Sequence, residues 1–97
     1  MRVRLLPAAD RELEDAAEWY AANARRNVST NFIAAYDTIV NLISDNPGIG
    51  TPSAAGTRTL RFRGFPYSAI YRLHSDHAVV VAVAHQHRRP GYWAKRH

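Results

Sequence analysis

The chain has 97 residues, 46% hydrophobic and 22% charged, with a net charge of +5 and a pI near 10.2. That size and composition fit one globular domain over residues 1–97 and exclude extended disorder or a second core. Cysteine is absent, which excludes disulfides, thiol nucleophiles and cysteine-bound zinc, and no apolar run reads as a secretory leader or a membrane span, so a cytoplasmic protein with no membrane role is expected.

Residues 2–6 (Arg-Val-Arg-Leu-Leu) read as a short strand. Pro7 suits the first turn of a helix, where its missing N–H costs nothing. Ala9, Leu13, Ala16, Ala17 and Tyr20 then recur at helical spacing, and Asp10, Glu12, Glu14 and Asp15 crowd the early turns, where the helix dipole favours acids. This helix should fade near Asn23, with Trp19 beside its apolar stripe. A second helix is expected from Asn27 or Ser29, both plausible N-caps, to Ser44, with Phe32, Ala35, Tyr36, Ile39, Leu42 and Ile43 as its stripe. Asn46-Pro47-Gly48 ends it. The short connection makes the two helices an antiparallel hairpin.

Residues 47–56 are rich in Pro, Gly, Ser and Thr and read as a loop. Three strands follow. Arg58–Arg63 alternates, with Arg61 and Arg63 on one face and Leu60 and Phe62 on the other. Tyr67–His74 also alternates. Ala78–Gln86 is the most apolar and should be the buried central strand, its odd face formed by Val79, Val81, Val83 and His85. A basic, aromatic tail runs from His87 to His97. The expected fold class is α+β: an N-terminal strand, a helical hairpin, then a three-stranded antiparallel meander, forming one curved sheet.

Charge is unevenly spread. Residues 1–46 hold Arg2, Arg4, Arg11, Arg25 and Arg26 against seven acids, whereas residues 47–97 hold seven arginines and Lys95 against Asp76 alone. All five histidines (His74, His77, His85, His87 and His97) also lie in the second half. A polyanionic or acidic partner is therefore expected on the C-terminal half.

The ordered set of fragments carries more information than any one of them. Leu-Glu-x-Ala-x-x-Trp-Tyr (Leu13 to Tyr20) precedes Asn46-Pro47-x-x-Gly50. Then come Arg58-x-Leu60-Arg61, Phe65-Pro66-Tyr67-x-x-x-Tyr71-Arg72 and His85-x-x-Arg88-Arg89-Pro90-x-Tyr92-Trp93-x-x-Arg96. Together they resemble the RelE/ParE toxins of type II toxin–antitoxin systems, the ParE-like branch in particular, over nearly the whole chain. The resemblance implies an acidic, partly disordered cognate antitoxin laid across the helical hairpin and the sheet edge. It also implies one of two targets: DNA gyrase, inhibited without catalysis in the ParE-like branch, or messenger RNA on the ribosome, cut by RelE-like endoribonucleases. Inactive homologues of the fold and a stand-alone basic nucleic-acid-binding module are further alternatives, and fold alone does not choose among them.

Metal-independent ribonuclease chemistry would need a base for the 2′-hydroxyl, an acid for the leaving oxygen and cations for the phosphate. His85, His87, Arg61, Arg72 and Tyr92 are the candidates. Lysines are missing from the strands and no Glu follows Glu18, which disfavours a carboxylate base and favours gyrase inhibition. For target binding the expected surface is Arg58, Arg61, Arg63, Arg72, Arg88, Arg89, Tyr92 and Trp93. Trp19, Tyr20, Phe32 and Tyr36 would meet the antitoxin wherever the core does not bury them. No cofactor and no metal are expected. A homodimer, or a hetero-oligomer with the antitoxin, is compatible with the exposed hairpin. A chain ended after Arg89 is expected to keep its fold.

Overall fold

The fold was obtained as a computed structural model describing residues 1–97. β1 (Arg2–Leu5) leads into α1 (Pro7–Asn23) and then α2 (Val28–Asp45); β2 (Thr51–Ser53), β3 (Thr57–Arg61), β4 (Tyr67–Leu73) and β5 (His77–His85) follow. The sheet order is β1-β5-β4-β3-β2, with β1 parallel to β5 and all other pairs antiparallel. The expected α+β class and the β3-β4-β5 meander hold, and the sheet has five strands. The added strand is β2, inside the segment expected to be a loop. Its edge position tolerates Pro52, and hydroxyls bind it to β3: Ser53 to Thr57 at 2.7 Å and Thr59 to Ser53 at 2.9 Å.

Each helix buries most of the stripe that its spacing announces; Leu42 is the exception, 39% exposed. Ala9, Leu13 and Ala16 of α1 and Phe32, Tyr36, Ile39 and Ile43 of α2 pack on Ala69, Tyr71, Ala78, Val80 and Val83 of the sheet. The Phe32 ring stacks on Phe62 at 5.0 Å and 20° and meets Tyr67 edge-on at 5.1 Å. Between the helices, Asn27 holds a left-handed conformation (φ 72°), which asparagine tolerates, and its side chain makes no capping bond. The Ser29 hydroxyl instead donates to the Ala17 carbonyl at 2.7 Å, tying α2 to α1. Neither expected side-chain cap therefore forms.

The strict alternation expected for β5 also fails, for a definable reason. Ile70 faces Ala82 while Tyr71 faces Val80, so Val81 is an extra residue in a β-bulge. The bulge shifts the phase. Val79, Val81, Ala82 and Ala84 join Ile70 and Trp93 in a second cluster, on the sheet face away from the helices, while Val80 and Val83 stay in the helical core. No helix is long and apolar enough to cross a membrane.

The turn after α2 explains the spacing of Asn46-Pro47-x-x-Gly50. The buried Tyr71 hydroxyl donates to the Pro47 carbonyl at 2.7 Å and accepts from the Gly50 N–H at 2.9 Å. A β-carbon on Gly50 would lie 2.7 Å from that hydroxyl oxygen and 2.8 Å from the Tyr71 ring. Gly50→Ala is therefore expected to destabilise by about 1–3 kcal/mol through overpacking. Tyr71→Phe should cost about the same by leaving a buried donor and acceptor unmet. Urea denaturation of both variants checks this; wild-type midpoints would show that the turn yields freely.

Candidate functional site

On the side away from β4, the C-terminal half of β5 has no strand beside it once β1 ends, so its outward backbone groups need other partners. Glu12 of α1 and Arg96 of the tail supply them. The Val83 N–H donates to Glu12 Oε1 at 3.1 Å, and Arg96 Nη1 donates to the Val81 carbonyl at 3.1 Å. The two side chains pair at 2.8 Å, and the Tyr92 hydroxyl donates to Glu12 Oε2 at 2.6 Å. Burial first, then the hydrogen bond and charge of Glu12, push the Tyr92 phenol well above its ordinary range, with Arg88 and Arg96 pulling the other way. Glu12 is thus more than one of the acids that the dipole of α1 favours. Its place three residues after Ala9 and four before Ala16, on the buried stripe, was the signal for this role.

Arg72 continues the same work. It donates to the carbonyls of Arg96 (3.2 Å), Ala94 (2.9 Å) and Ala55. Arg58 donates to the carbonyls of Gly50 (2.7 Å) and Gly48 (3.1 Å). Both guanidiniums hold backbone, which corrects the expectation that they face a target or a phosphate. Trp93 is only 8% exposed, packed on the second sheet face, so it too offers little surface for target contact.

The other four arginines expected to meet a target fall into two separate places. Arg61 and Arg63 are exposed and line a groove of about 540 Å³ against Asn31, Ala35, Thr38 and Leu42 of α2. Arg88 and Arg89 are exposed in the turn after β5, where the Arg88 guanidinium lies 4.1 Å over the Tyr92 ring. Arg61 and the histidines are thus not brought together as a ribonuclease set.

His85 closes a cleft of about 260 Å³ between α1 and β5 that also holds Glu12, Asp15, Trp19, Tyr67 and Arg88. Carboxylates from α1 therefore stand near the histidine, contrary to the reading that looked for them only on the strands. Glu12 is fully engaged, however, and Asp15 is exposed. The His85 ring meets Tyr67 edge-on at 5.0 Å and stacks near His87 at 5.2 Å. The His87 backbone N–H donates to His85 Nδ1 at 3.0 Å. Neutral His85 then carries its proton on Nε2 and has no free lone pair to serve as a base.

Of the four aromatic residues expected to meet an antitoxin, Phe32 (0% exposed) and Tyr36 (8%) belong to the core and present no usable surface. Tyr20 is half-buried, its ring 5.3 Å from Phe65. Trp19, 59% exposed, stands out from α1 beside Tyr20, Pro66, Tyr67 and His85.

The family model "ParE toxin of type II toxin-antitoxin system, parDE" matches residues 3–90. The chain belongs to the ParE toxin family. Among solved structures it is similar to the "Chromosomal ParDE TA system from P. aeruginosa", with a TM-score of 0.76 and 20% identity over 88% of this chain and 95% of that one. That likeness supports the shared fold. No curated protein matches.

The ParE match ends at residue 90, so the strap of Tyr92, Trp93 and Arg96 lies beyond the matched span. Its burial reverses the expectation that the chain could end at Arg89 with its fold intact. Losing the Trp93 packing alone should cost about 3–5 kcal/mol, a large part of the roughly 5–15 kcal/mol that holds a small domain together. A chain ending at Pro90 is expected to melt well below the full chain or not to fold; an unchanged melting temperature would return the tail to the surface.

The tyrosines set a limit at high pH. Burial, with Asp10 and Asp37 adding, pushes Tyr36 up to about 12, and Tyr92 is raised as well. Both phenols ionise in the unfolded chain near pH 10 but resist doing so when folded, so the unfolded state binds fewer protons there. Their stabilisation is fully present below about pH 10 and falls as pH rises from there to about 12. Melting temperatures measured over that range should decline less steeply in Tyr92→Phe than in the parent chain.

Proposed function

We propose that this chain is the toxin of a type II toxin–antitoxin pair that inhibits DNA gyrase without catalysis and is held inactive in the cytoplasm by an acidic antitoxin. Membership of the ParE family across residues 3–90 carries this reading. The site chemistry supports it: His85 lacks a free basic nitrogen, Glu12 and Arg72 are spent on structure, and Arg61 and Arg63 line a different groove from His85. Ribonuclease action would need these groups to converge within hydrogen-bond reach of one phosphate.

The antitoxin-binding surface in this reading is the groove between α2 and the end of β3. Ala34, Ala35 and Leu42 offer a shallow apolar strip, and Arg61 and Arg63 stand at its side without any carboxylate partner in the chain. An acidic amphipathic segment matches both features. Trp19 and the exposed edge of Tyr20 extend the contact on α1. The gyrase-facing surface falls to the cationic turn of Arg88 and Arg89.

RelE-like cleavage of messenger RNA stays as the second reading because the His85 cleft also holds Asp15 and Arg88. Purified toxin, freed of antitoxin, should block supercoiling by gyrase and leave messenger RNA intact on translating ribosomes. RNA cut with gyrase untouched would transfer the chain to the ribonuclease reading, and inactivity in both assays would mark it as an inactive homologue.

Arg61→Ala with Arg63→Ala should change stability by less than about 0.5 kcal/mol, since both side chains are exposed and unpaired. The same double variant should weaken antitoxin binding at least ten-fold, about 1.4 kcal/mol. Titration calorimetry with the cognate antitoxin measures this, and wild-type affinity would move the interface elsewhere.

A further inference from the structure

The sheet face opposite the helices carries a second, smaller pocket of about 190 Å³ beside Trp93. Ile70 and Ala84 contribute apolar wall, and Ser68, Gln86 and Arg88 bring polar groups to its lining. None of its nine lining residues is acidic. Arg88 has no carboxylate partner, because the chain's ion pairs are Arg96–Glu12 and His77–Asp76. Trp93 also holds the one buried side-chain polar atom in the molecule without a hydrogen-bond partner, its indole Nε1. An indole N–H without a protein partner is sensitive to changes in the charge beside it, which makes it a reporter for this pocket.

We propose that this pocket binds a single phosphoryl group, held by Ser68, Gln86 and Arg88 beside the Trp93 indole. Every group in that set donates, and Arg88 adds the positive charge. The donors come from two separate segments, β4 and the turn after β5. A tetrahedral oxyanion presents acceptors out of a single plane, whereas a planar carboxylate does not. The volume falls below the roughly 300–1,000 Å³ that encloses a whole small ligand. It therefore takes the phosphoryl group and leaves the rest of a nucleotide or a nucleic-acid strand outside. Arg89 and Lys95, both exposed nearby in sequence, extend the positive field toward the remainder of such a ligand. This site is separate from the antitoxin groove and does not depend on gyrase being the target.

The two tryptophans make the test internal. In 1H–15N spectra of the full chain at fixed ionic strength, inorganic phosphate and adenosine 5′-monophosphate are titrated in turn, with acetate as the carboxylate control. The Trp93 indole N–H resonance is expected to move saturably with both phosphates, while that of Trp19, on the helical side, stays still. Ser68→Ala and Arg88→Ala should each weaken the midpoint several-fold while keeping the wild-type spectrum elsewhere. A response to inorganic phosphate alone would make the site one for the free ion; a tighter midpoint with the monophosphate would identify a nucleotide end. Acetate acting as well as phosphate would overturn the phosphoryl assignment. So would a Trp93 resonance unmoved by about 10 mM phosphate, where a millimolar site would be largely filled, or equal movement of both indoles.

Discussion

One carboxylate carries much of this architecture. β5 lies between β1 and β4, but beyond Val80 its outer edge has no strand to pair with, because β1 is only four residues long. Glu12 stands in for the missing strand at Val83, and its partner Arg96 does the same at Val81. The pairing brings the tail back across the molecule to α1. It closes an edge that would otherwise be open to another chain, and it fixes where Tyr92 and Trp93 sit. A half-buried carboxylate with four donors around it is a stable device only while all its partners are present. α1, β5 and the tail are therefore joined through a single side chain.

The consequence is a sheet covered on both faces. A domain of this size buries a modest share of its surface, and a sheet with one face bare would leave Ile70, Val79, Val81 and Ala84 in water. The tail supplies cover with one large residue, Trp93, held by Arg72 through the carbonyls of Ala94 and Arg96. The β-bulge at Val81 belongs to the same solution, since the shift of phase places both Val81 and Ala82 toward Trp93. Cationic side chains that look, in sequence, like a binding surface are thereby divided: Arg58, Arg72 and Arg96 hold backbone, while Arg61, Arg63, Arg88 and Arg89 remain free.

What the sequence disclosed follows the range of the forces involved. Both helices and the β3-β4-β5 meander were legible because apolar periodicity is local and records which face is buried. β2 was not, since three residues containing Pro52 have no periodicity and pair only because Ser53, Thr57 and Thr59 meet in space. The bulge was invisible for a related reason: an unbroken run of Val and Ala carries no mark of where its phase slips. The roles of Arg58 and Arg72 depend on carbonyl groups eight to 24 residues away along the chain. Residue type alone cannot separate an arginine that clamps backbone from one that awaits a ligand. Glu12 stands between these cases, because its position on the stripe of Ala9, Leu13 and Ala16 was readable while its partners were not.

The same division bears on function. A catalytic reading requires groups of opposite role to share one small volume, and here the strongest acid–base candidate, His85, is turned by its own neighbour His87 into a donor. A binding reading asks less, only that complementary surface be free and fixed in place. The free cations meet that condition at two sites on rigid elements: at the end of β3, against an apolar strip of α2, and in the turn after β5, against Tyr92. The strap of Tyr92, Trp93 and Arg96 ties the second of these sites to α1, because any displacement of it would disturb Glu12 and the Arg88 turn together.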